Sequence, residues 1–205
     1  MNVLLDGRPL HLPEPRTLAS AIRIASAEAE QRGRVVVEVQ IDGAPAPDEL
    51  LEDPPEAPVG SEVRLMSVEP RSLVRVTLMD AVDALEAARE RQGRSAELIQ
   101  IGKLDEALAP LSEAIETWQT VRDAVEKSAA MLGMDLRELG AAEGDSSIDE
   151  LVATLAARLN EIRRTLAGED WSALADVLAY DMGEQTDRWK TALAAAADGL
   201  RPAAR

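Results

Sequence analysis

The residue types that most often carry metal or nucleophilic chemistry are nearly absent from this chain. The sequence has no Cys and one His, His11, which lies between Leu10 and Leu12 in a short alternating segment. Without Cys there is no disulfide, thiol nucleophile or Cys-based zinc site, and one His cannot build a His-based metal site. We therefore predict no metal and no cofactor, and we interpret His11 as a solvent-facing strand residue rather than a catalytic one.

Carboxylates are the remaining candidates for acid–base chemistry, since the chain has 38 Asp and Glu residues. Asp80, Asp83 and Glu86 lie near one face of a predicted helix, but the Glu-x-x-His motif of di-iron bundles does not occur. No glycine-rich phosphate loop follows a strand, and no Ser stands in a nucleophile-elbow context. A solvated charged face explains these carboxylates best, so we predict that the protein is not an enzyme.

The formal net charge of −16 limits the classes of partner. An acidic chain repels phosphate backbones and anionic lipids, so neither nucleic acid nor a membrane is an expected partner. The N-terminus lacks the basic and apolar regions of a signal peptide, and no apolar run reaches about 18 residues, which favours a cytoplasmic location. With 46% hydrophobic but only 2% aromatic residues, aliphatic side chains and Ala must form the core, and Ala favours helices.

Residues 1–70 are predicted to form a small α/β domain in the order β-β-α-β-β. Asp6-Gly7 favours a tight hairpin turn, and Thr17 is a suitable N-cap for the helix. The strongest strand pattern covers residues 35–43, VVVEVQIDG, and a closing strand falls within 58–68, PVGSEVRLMSV. The apolar members that alternate along the first of these two segments are Val35, Val37, Val39 and Ile41.

This order of hairpin, helix and two further strands resembles the β-grasp domain of the small sulfur-carrier and ubiquitin-like proteins. Sulfur carriers end in a free Gly-Gly that is activated at its carboxylate. Here the last strand instead runs into Glu69-Pro70-Arg71 and a further domain. The resemblance therefore implies a β-grasp scaffold for binding, without the conjugation function.

Residues 71–205 carry heptad spacings that predict a mainly antiparallel four-helix bundle made of two hairpins, 73–132 and 147–200. Breaks are expected at Gly102 and Gly168, a kink or delayed start at Pro110, and a further break at Gly93. The first predicted seam consists of Val74, Leu78, Ala81, Leu85, Ala88, Gln92, Ser95 and Ile99. The second consists of Leu104, Leu108, Leu111, Ile115, Trp118, Arg122, Val125, Ala129 and Leu132.

Two further seams follow in the second hairpin. One consists of Ile148, Val152, Leu155, Leu159, Ile162 and Leu166, and the weaker one of Trp171, Ala175, Leu178, Met182, Gln185, Trp189, Ala192 and Ala196. Three seam positions are polar: Gln92, Arg122 and Gln185. They could form a buried layer that fixes the register. An ordinary helix has 3.6 residues per turn, so its inward face drifts away from a strict seven-residue repeat. This drift is the favoured interpretation, and it would place Val121 in the core instead of Arg122.

The segment DWSALADVLAYDMGEQTDRWKTAL, 170–193, is weakly similar to the closing helix of flagellin-type bacterial export chaperones. The missing catalytic chemistry and the long helical faces, together with this resemblance, favour a non-catalytic adaptor or export-chaperone-like protein. We expect it to bind a protein partner through an exposed apolar strip near the fourth helix. The candidate partner-binding residues are Tyr180, Met182, Trp189 and Leu193. The alternative is a self-assembling structural protein, for example a homodimer, with the third helix as its seam.

Overall fold

The computed structural model describes residues 1–13, 16–139 and 147–201. The chain divides into two compact units, Met1–Leu73 and Val74–Arg205. The first unit carries a five-stranded sheet with a helix packed on it, and the second is helical wherever it has regular structure. The fold is therefore of the mixed α+β class, with the sheet preceding the long helices.

The sheet of the N-terminal unit has the strand order β2-β1-β5-β3-β4. β1 and β5 run parallel in its centre, and every other pair of neighbours is antiparallel. The strands are β1 (Asn2–Leu5), β2 (Arg8–Pro9), β3 (Val35–Ile41), β4 (Ala44–Pro45) and β5 (Glu62–Val68). The helices of this unit are α1 (Leu18–Glu30) and the single turn α2 (Asp48–Glu52).

Helix α1 closes the core of this unit against one face of the sheet. Thr17 caps the helix as expected, because its hydroxyl accepts a hydrogen bond from the Ser20 amide at 3.1 Å. Small residues on the inner face bring the helix close to the strands. The buried apolar residues of this core are Val3, Leu5, Leu12, Leu18, Ala21, Ala25, Val39, Ala46, Val63 and Leu65.

A β-bulge in β3 corrects the predicted alternation. The pairing with β5 shifts between Val36, opposite Ser67, and Glu38, opposite Met66, so Val37 is an extra residue. A bulge reverses the alternation of side chains along its strand, and Val37 is 44% exposed while Val36 packs against the core. The predicted alternation of Val35, Val37, Val39 and Ile41 is therefore interrupted at Val37.

The Asp6-Gly7 turn is anchored to β5 by the Asp6 carboxylate. This carboxylate accepts hydrogen bonds from the amide of Ser67 at 2.8 Å and from its hydroxyl at 2.7 Å. The Ser67 hydroxyl also accepts from Arg34 Nε at 2.8 Å. The Ser67 amide has the largest effect in holding the pKa of Asp6 below its ordinary value of 3.8, and the hydroxyl and Arg34 act in the same direction.

The Asp42-Gly43 turn is anchored to the other end of β5 in the same way. Asp42 Oδ1 accepts hydrogen bonds from the Ser61 hydroxyl at 2.6 Å, the Ser61 amide at 2.9 Å and the Glu62 amide at 2.8 Å. These donors, with the hydroxyl first, lower the pKa of Asp42. Both turn residues, Asp6 and Asp42, have a φ of 50°, a conformation that Asp tolerates better than most residues.

Both edges of the sheet are two-residue strands. β2 ends in Pro9 and β4 in Pro45, and proline has no amide proton to donate to a neighbouring strand. The predicted second strand is correspondingly shorter than expected: His11 lies after β2, outside the sheet, and is exposed, while Leu12 is buried without being part of a strand.

The helices of the second unit begin with α3, whose first residues belong to the N-terminal unit. They are α3 (Pro70–Gln100), α4 (Leu104–Leu132), α5 (Leu136–Leu139), α6 (Ile148–Ala167), α7 (Trp171–Asp176), a π-helical turn (Val177–Asp181) and α8 (Met182–Gly199). Gly102 and Gly168 lie at the expected breaks. α3 continues through Gly93, and α4 begins before Pro110 and continues past it, so the predicted break and delayed start are wrong.

Every position of the first predicted seam is buried along α3. The second seam is only partly right. On α4 the inner face uses Ala107 and Val121, whereas Leu108 is 50% exposed and Arg122 lies at the surface. The Arg122 guanidinium hydrogen-bonds Asp123 at 2.7 Å, which raises the pKa of Arg122. Drift of the helical period is therefore the correct interpretation at Arg122.

Candidate functional site

Three of the four predicted partner-binding residues lie in the core. Met182 is 1% exposed, and Trp189 and Leu193 are 0% exposed. The expected exposed apolar strip on this helix is therefore wrong for these three residues. Tyr180 is 72% exposed and remains a candidate for contact with a partner.

Helix α8 is buried because it contacts three other helices. Asp187 and Lys190 form ion pairs with Arg89 and Glu86 of α3. Toward α6, Gln185 Nε2 donates to the Leu151 carbonyl at 3.0 Å.

Toward α4, the ring centroids of Trp189 and Trp118 are 5.7 Å apart, with the ring planes at 80°. Aromatic rings prefer this edge-to-face arrangement, which adds to the stabilisation from burial. A weak apolar face in the sequence is thus a buried face in the structure.

Tyr180 lies in the π-helical turn between α7 and α8. Such turns are often found at functional sites. The turn is held by Asp181, whose carboxylate pairs with Arg158 of α6 at 2.9 Å. Tyr180 is exposed, whereas Val177 and Leu178 of the same turn are buried.

The core of the helical unit contains polar atoms with no hydrogen-bond partner. Gln92 is 1% exposed, and neither its amide oxygen nor its amide nitrogen is paired. The indole N–H groups of Trp118 and Trp189 are also buried and unpaired. Drift was the favoured interpretation for all three polar seam residues, but Gln92 and Gln185 are both buried. At these two positions the polar side chains face the core, so drift is the wrong interpretation there.

A cleft opens at the end of the helical unit where the α3–α4 and α6–α7 turns lie. It encloses about 340 Å³. Its walls come from the C-terminal end of α3 and the first turns of α7. The lining residues are Ile99, Gln100, Trp171, Ser172, Ala175 and Asp176.

Large apolar side chains are exposed on the α3–α4 turn and in the first turns of α4. Ile101 directly follows the lining residue Gln100 and is 66% exposed, and Leu108 is 50% exposed one turn into α4 from Leu104. We call Ile101, Leu108 and the six lining residues the turn-end surface. The heptad spacing did not predict this surface, because it placed Leu108 in the core. The residue that indicated otherwise was Ala107, whose small side chain lets α4 approach its neighbours closely.

The charges around the turn-end surface are mainly negative. Segments 94–106 and 169–176 carry six carboxylates and two cations. Both cations pair with carboxylates on their own segment, Arg94 with Glu97 at 3.6 Å and Lys103 with Glu106 at 2.9 Å. Asp170 caps α7. Among the described residues no cation pairs with the remaining three carboxylates, which are Asp105, Glu169 and Asp176.

The carboxylates of α3 lie on its outer face. Asp80, Asp83 and Glu86 are all exposed, and Glu86 pairs with Lys190. Within the described ranges, no group of three or more His, Asp or Glu side chains could hold a metal ion. No helix there is long and apolar enough to cross a bilayer.

Comparison with known proteins finds no matching family model, no similar curated protein and no similar solved structure. The function proposed below is therefore supported by the geometry and chemistry of this chain's own residues.

Proposed function

We propose that this chain is a non-catalytic protein-binding protein, an adaptor or export-chaperone-like molecule that acts through its helical unit. The supporting observation is the turn-end surface, where Ile101 and Leu108 expose 66% and 50% of their surface in the segment that follows the cleft residues Ile99 and Gln100. Large apolar side chains left exposed around a cleft with polar residues are typical of protein interaction sites. The cytoplasm is the location that fits this proposal.

We further propose that the N-terminal unit is a β-grasp domain and the helical unit a four-helix bundle. The sheet order with β1 and β5 parallel at its centre supports the first assignment. Contacts of α3 with α4, and of α8 with α3, α4 and α6, support the second. In this arrangement the β-grasp domain serves as a scaffold, because its last strand continues toward α3 rather than ending in a reactive terminus.

A partner of a different sequence is favoured over self-assembly. Helix α6 is the expected seam for a homo-oligomer, but Ile148, Leu155 and Ile162 are buried within a single chain. Two copies of a surface rimmed by unpaired carboxylates would also repel each other. A concentration-dependent rise in mass by light scattering would instead support the homo-oligomer.

The test is affinity purification of the full chain from its native cells. The wild type is compared with Ile101→Ser/Leu108→Ser and with the matched control Val76→Ser/Met131→Ser, which removes two apolar side chains of similar exposure elsewhere. We expect one reproducible co-purifying protein that the first variant loses and the control retains. The proposal is wrong if no protein is enriched by the wild type.

A further inference from the structure

We propose that the turn-end surface binds a partner segment that inserts a large apolar side chain into the cleft and places Lys or Arg residues on its rim. This inference rests on the proposed function and specifies the chemistry of the partner. The cleft of about 340 Å³ lies at the small end of the range for ligand pockets. It is therefore suited to one or two side chains rather than to a folded surface.

The apolar part of the recognition comes from the walls and the adjoining turn. Ile99 and Ala175 form part of the lining and belong to the core, while Trp171 is half-buried. Ile101 follows the lining residue Gln100 in the chain, and Leu108 lies one turn into α4. A side chain in the cleft would cover Trp171, and aromatic side chains contribute strongly to interfaces.

The negative charge around the cleft favours Lys or Arg residues on either side of the inserted side chain. Asp176 lines the cleft, Glu169 belongs to the turn that precedes Trp171, and Asp105 belongs to the first turn of α4. Since no cation among the described residues pairs with these three carboxylates, a basic segment gains their attraction without breaking an existing ion pair. An acidic segment would instead be repelled, which gives the surface its selectivity.

The probe is a synthetic amphipathic peptide of Leu and Lys about 15 residues long, a length at which a helix can form. Its controls are the same peptide with Glu in place of Lys, and with Ser in place of Leu. Affinity is measured by titration against the full chain. The contact site is read from protection against hydrogen exchange.

We expect the Leu/Lys peptide to protect residues 99–108 and 169–176. We expect Ile101→Ser/Leu108→Ser to weaken binding roughly tenfold, as for loss of an interface anchor, and Val76→Ser/Met131→Ser to leave it unchanged. Asp176→Asn/Glu169→Gln should weaken binding more than Asp48→Asn/Glu49→Gln, which removes the same net charge from the N-terminal unit.

Equal weakening by both Ser variants, or by both charge variants, would show nonspecific attraction to an acidic protein and overturn the inference. Equal affinity for the Glu peptide, or no binding of the Leu/Lys peptide, would also overturn it. A native partner that co-purifies while the Leu/Lys peptide leaves the cleft unprotected would overturn this inference and leave the proposed function standing. Absence of any native partner would overturn the proposed function.

Discussion

In the N-terminal unit the buried hydroxyl of Ser67 donates to Asp6 and accepts from Arg34, whereas in the helical unit both atoms of the buried Gln92 amide are unpaired. The first unit uses its polar groups to fix which strands meet and where each turn lies. The second is held by apolar packing, and its polar core atoms reduce the free energy of unfolding because they lose water without gaining a partner. If this contrast holds, substitutions in the apolar core of the helical unit should have the largest effects, and changes to the polar contacts of the N-terminal unit smaller ones.

Removal of a large core side chain should affect the helical unit most. Trp189→Ala is expected to lower the free energy of unfolding by about 3–5 kcal/mol, since it leaves a cavity against Trp118. Denaturation in urea followed by far-UV circular dichroism measures this loss. Tyr180→Ala is the control, with an expected change within about 0.5 kcal/mol, since Tyr180 is exposed. An equal effect of both substitutions would contradict the packing described for α8.

The two buried glutamines should respond with opposite signs. Gln92→Leu is expected to raise the free energy of unfolding by about 1–3 kcal/mol, because it removes two unpaired polar atoms. Gln185→Leu is expected to lower it by about 1 kcal/mol, because the Leu151 carbonyl loses its donor. Thermal unfolding of the two variants side by side gives the comparison. Destabilisation by Gln92→Leu would mean that Gln92 has a partner such as a buried water.

In the N-terminal unit, removal of a satisfied polar group should be costly. Ser67→Ala is expected to lower stability by about 1 kcal/mol, since Asp6 loses a donor and Arg34 an acceptor. Hydrogen exchange of the β5 amides reports this unit separately. Ser72→Ala, at an exposed position, should have no measurable effect. If both variants exchange alike, the Asp6–Ser67–Arg34 contacts contribute nothing to stability.

Acid should weaken the N-terminal unit through the smallest effect of the four. The pKa of both Asp6 and Asp42 is lower in the folded chain than the ordinary 3.8. A carboxylate of this kind stabilises the folded chain at pH values above its ordinary pKa, and this contribution is lost as the pH falls through its lowered pKa. The protection of the β5 amides, measured relative to the intrinsic exchange rate at each pH, should therefore fall below about pH 4. Tryptophan fluorescence, which reports only the helical unit because all three Trp lie there, should respond less.

The double variant Asp6→Asn/Asp42→Asn is the control for this pH dependence. It removes both titrating groups while retaining residues that tolerate a positive φ. Its β5 amides should be less protected than those of the wild type at neutral pH, and their protection should change less on acidification. An unchanged acid response in this variant would assign the effect to other carboxylates.

Much of this fold could be predicted where local chemistry and tertiary packing agree. Both Asp-Gly turns, the Thr17 cap and the whole α3 seam follow from residue type and spacing. The Val37 bulge could not be predicted, because it depends on how β3 pairs with a strand distant in sequence. On α4 the structure buries Ala107 rather than the predicted Leu108 for a similar reason, because the distance to the neighbouring helices decides which side chain fits.

The candidate site was less predictable than the fold. Residues 102–109 and 168–175 are similar in sequence, GKLDEALA and GEDWSALA, and each follows a helix and opens the next. Their corresponding leucines nevertheless differ, since Leu174 is 0% exposed and Leu108 is 50% exposed. Exposure depends on the neighbours that surround each turn, and a single sequence does not record them. Protein binding and the identity of the partner stay predictions.

The short proline-ended edges of the sheet have a consequence for synthesis of the chain. The N-terminal unit leaves the ribosome before the helical unit is complete, at a time when exposed strand edges on neighbouring nascent chains can pair and aggregate. β2 and β4 offer two residues each, and Pro9 and Pro45 lack an amide proton. These two edge strands therefore present little template for strand addition, which limits pairing between neighbouring nascent chains where they cover β1 and β3.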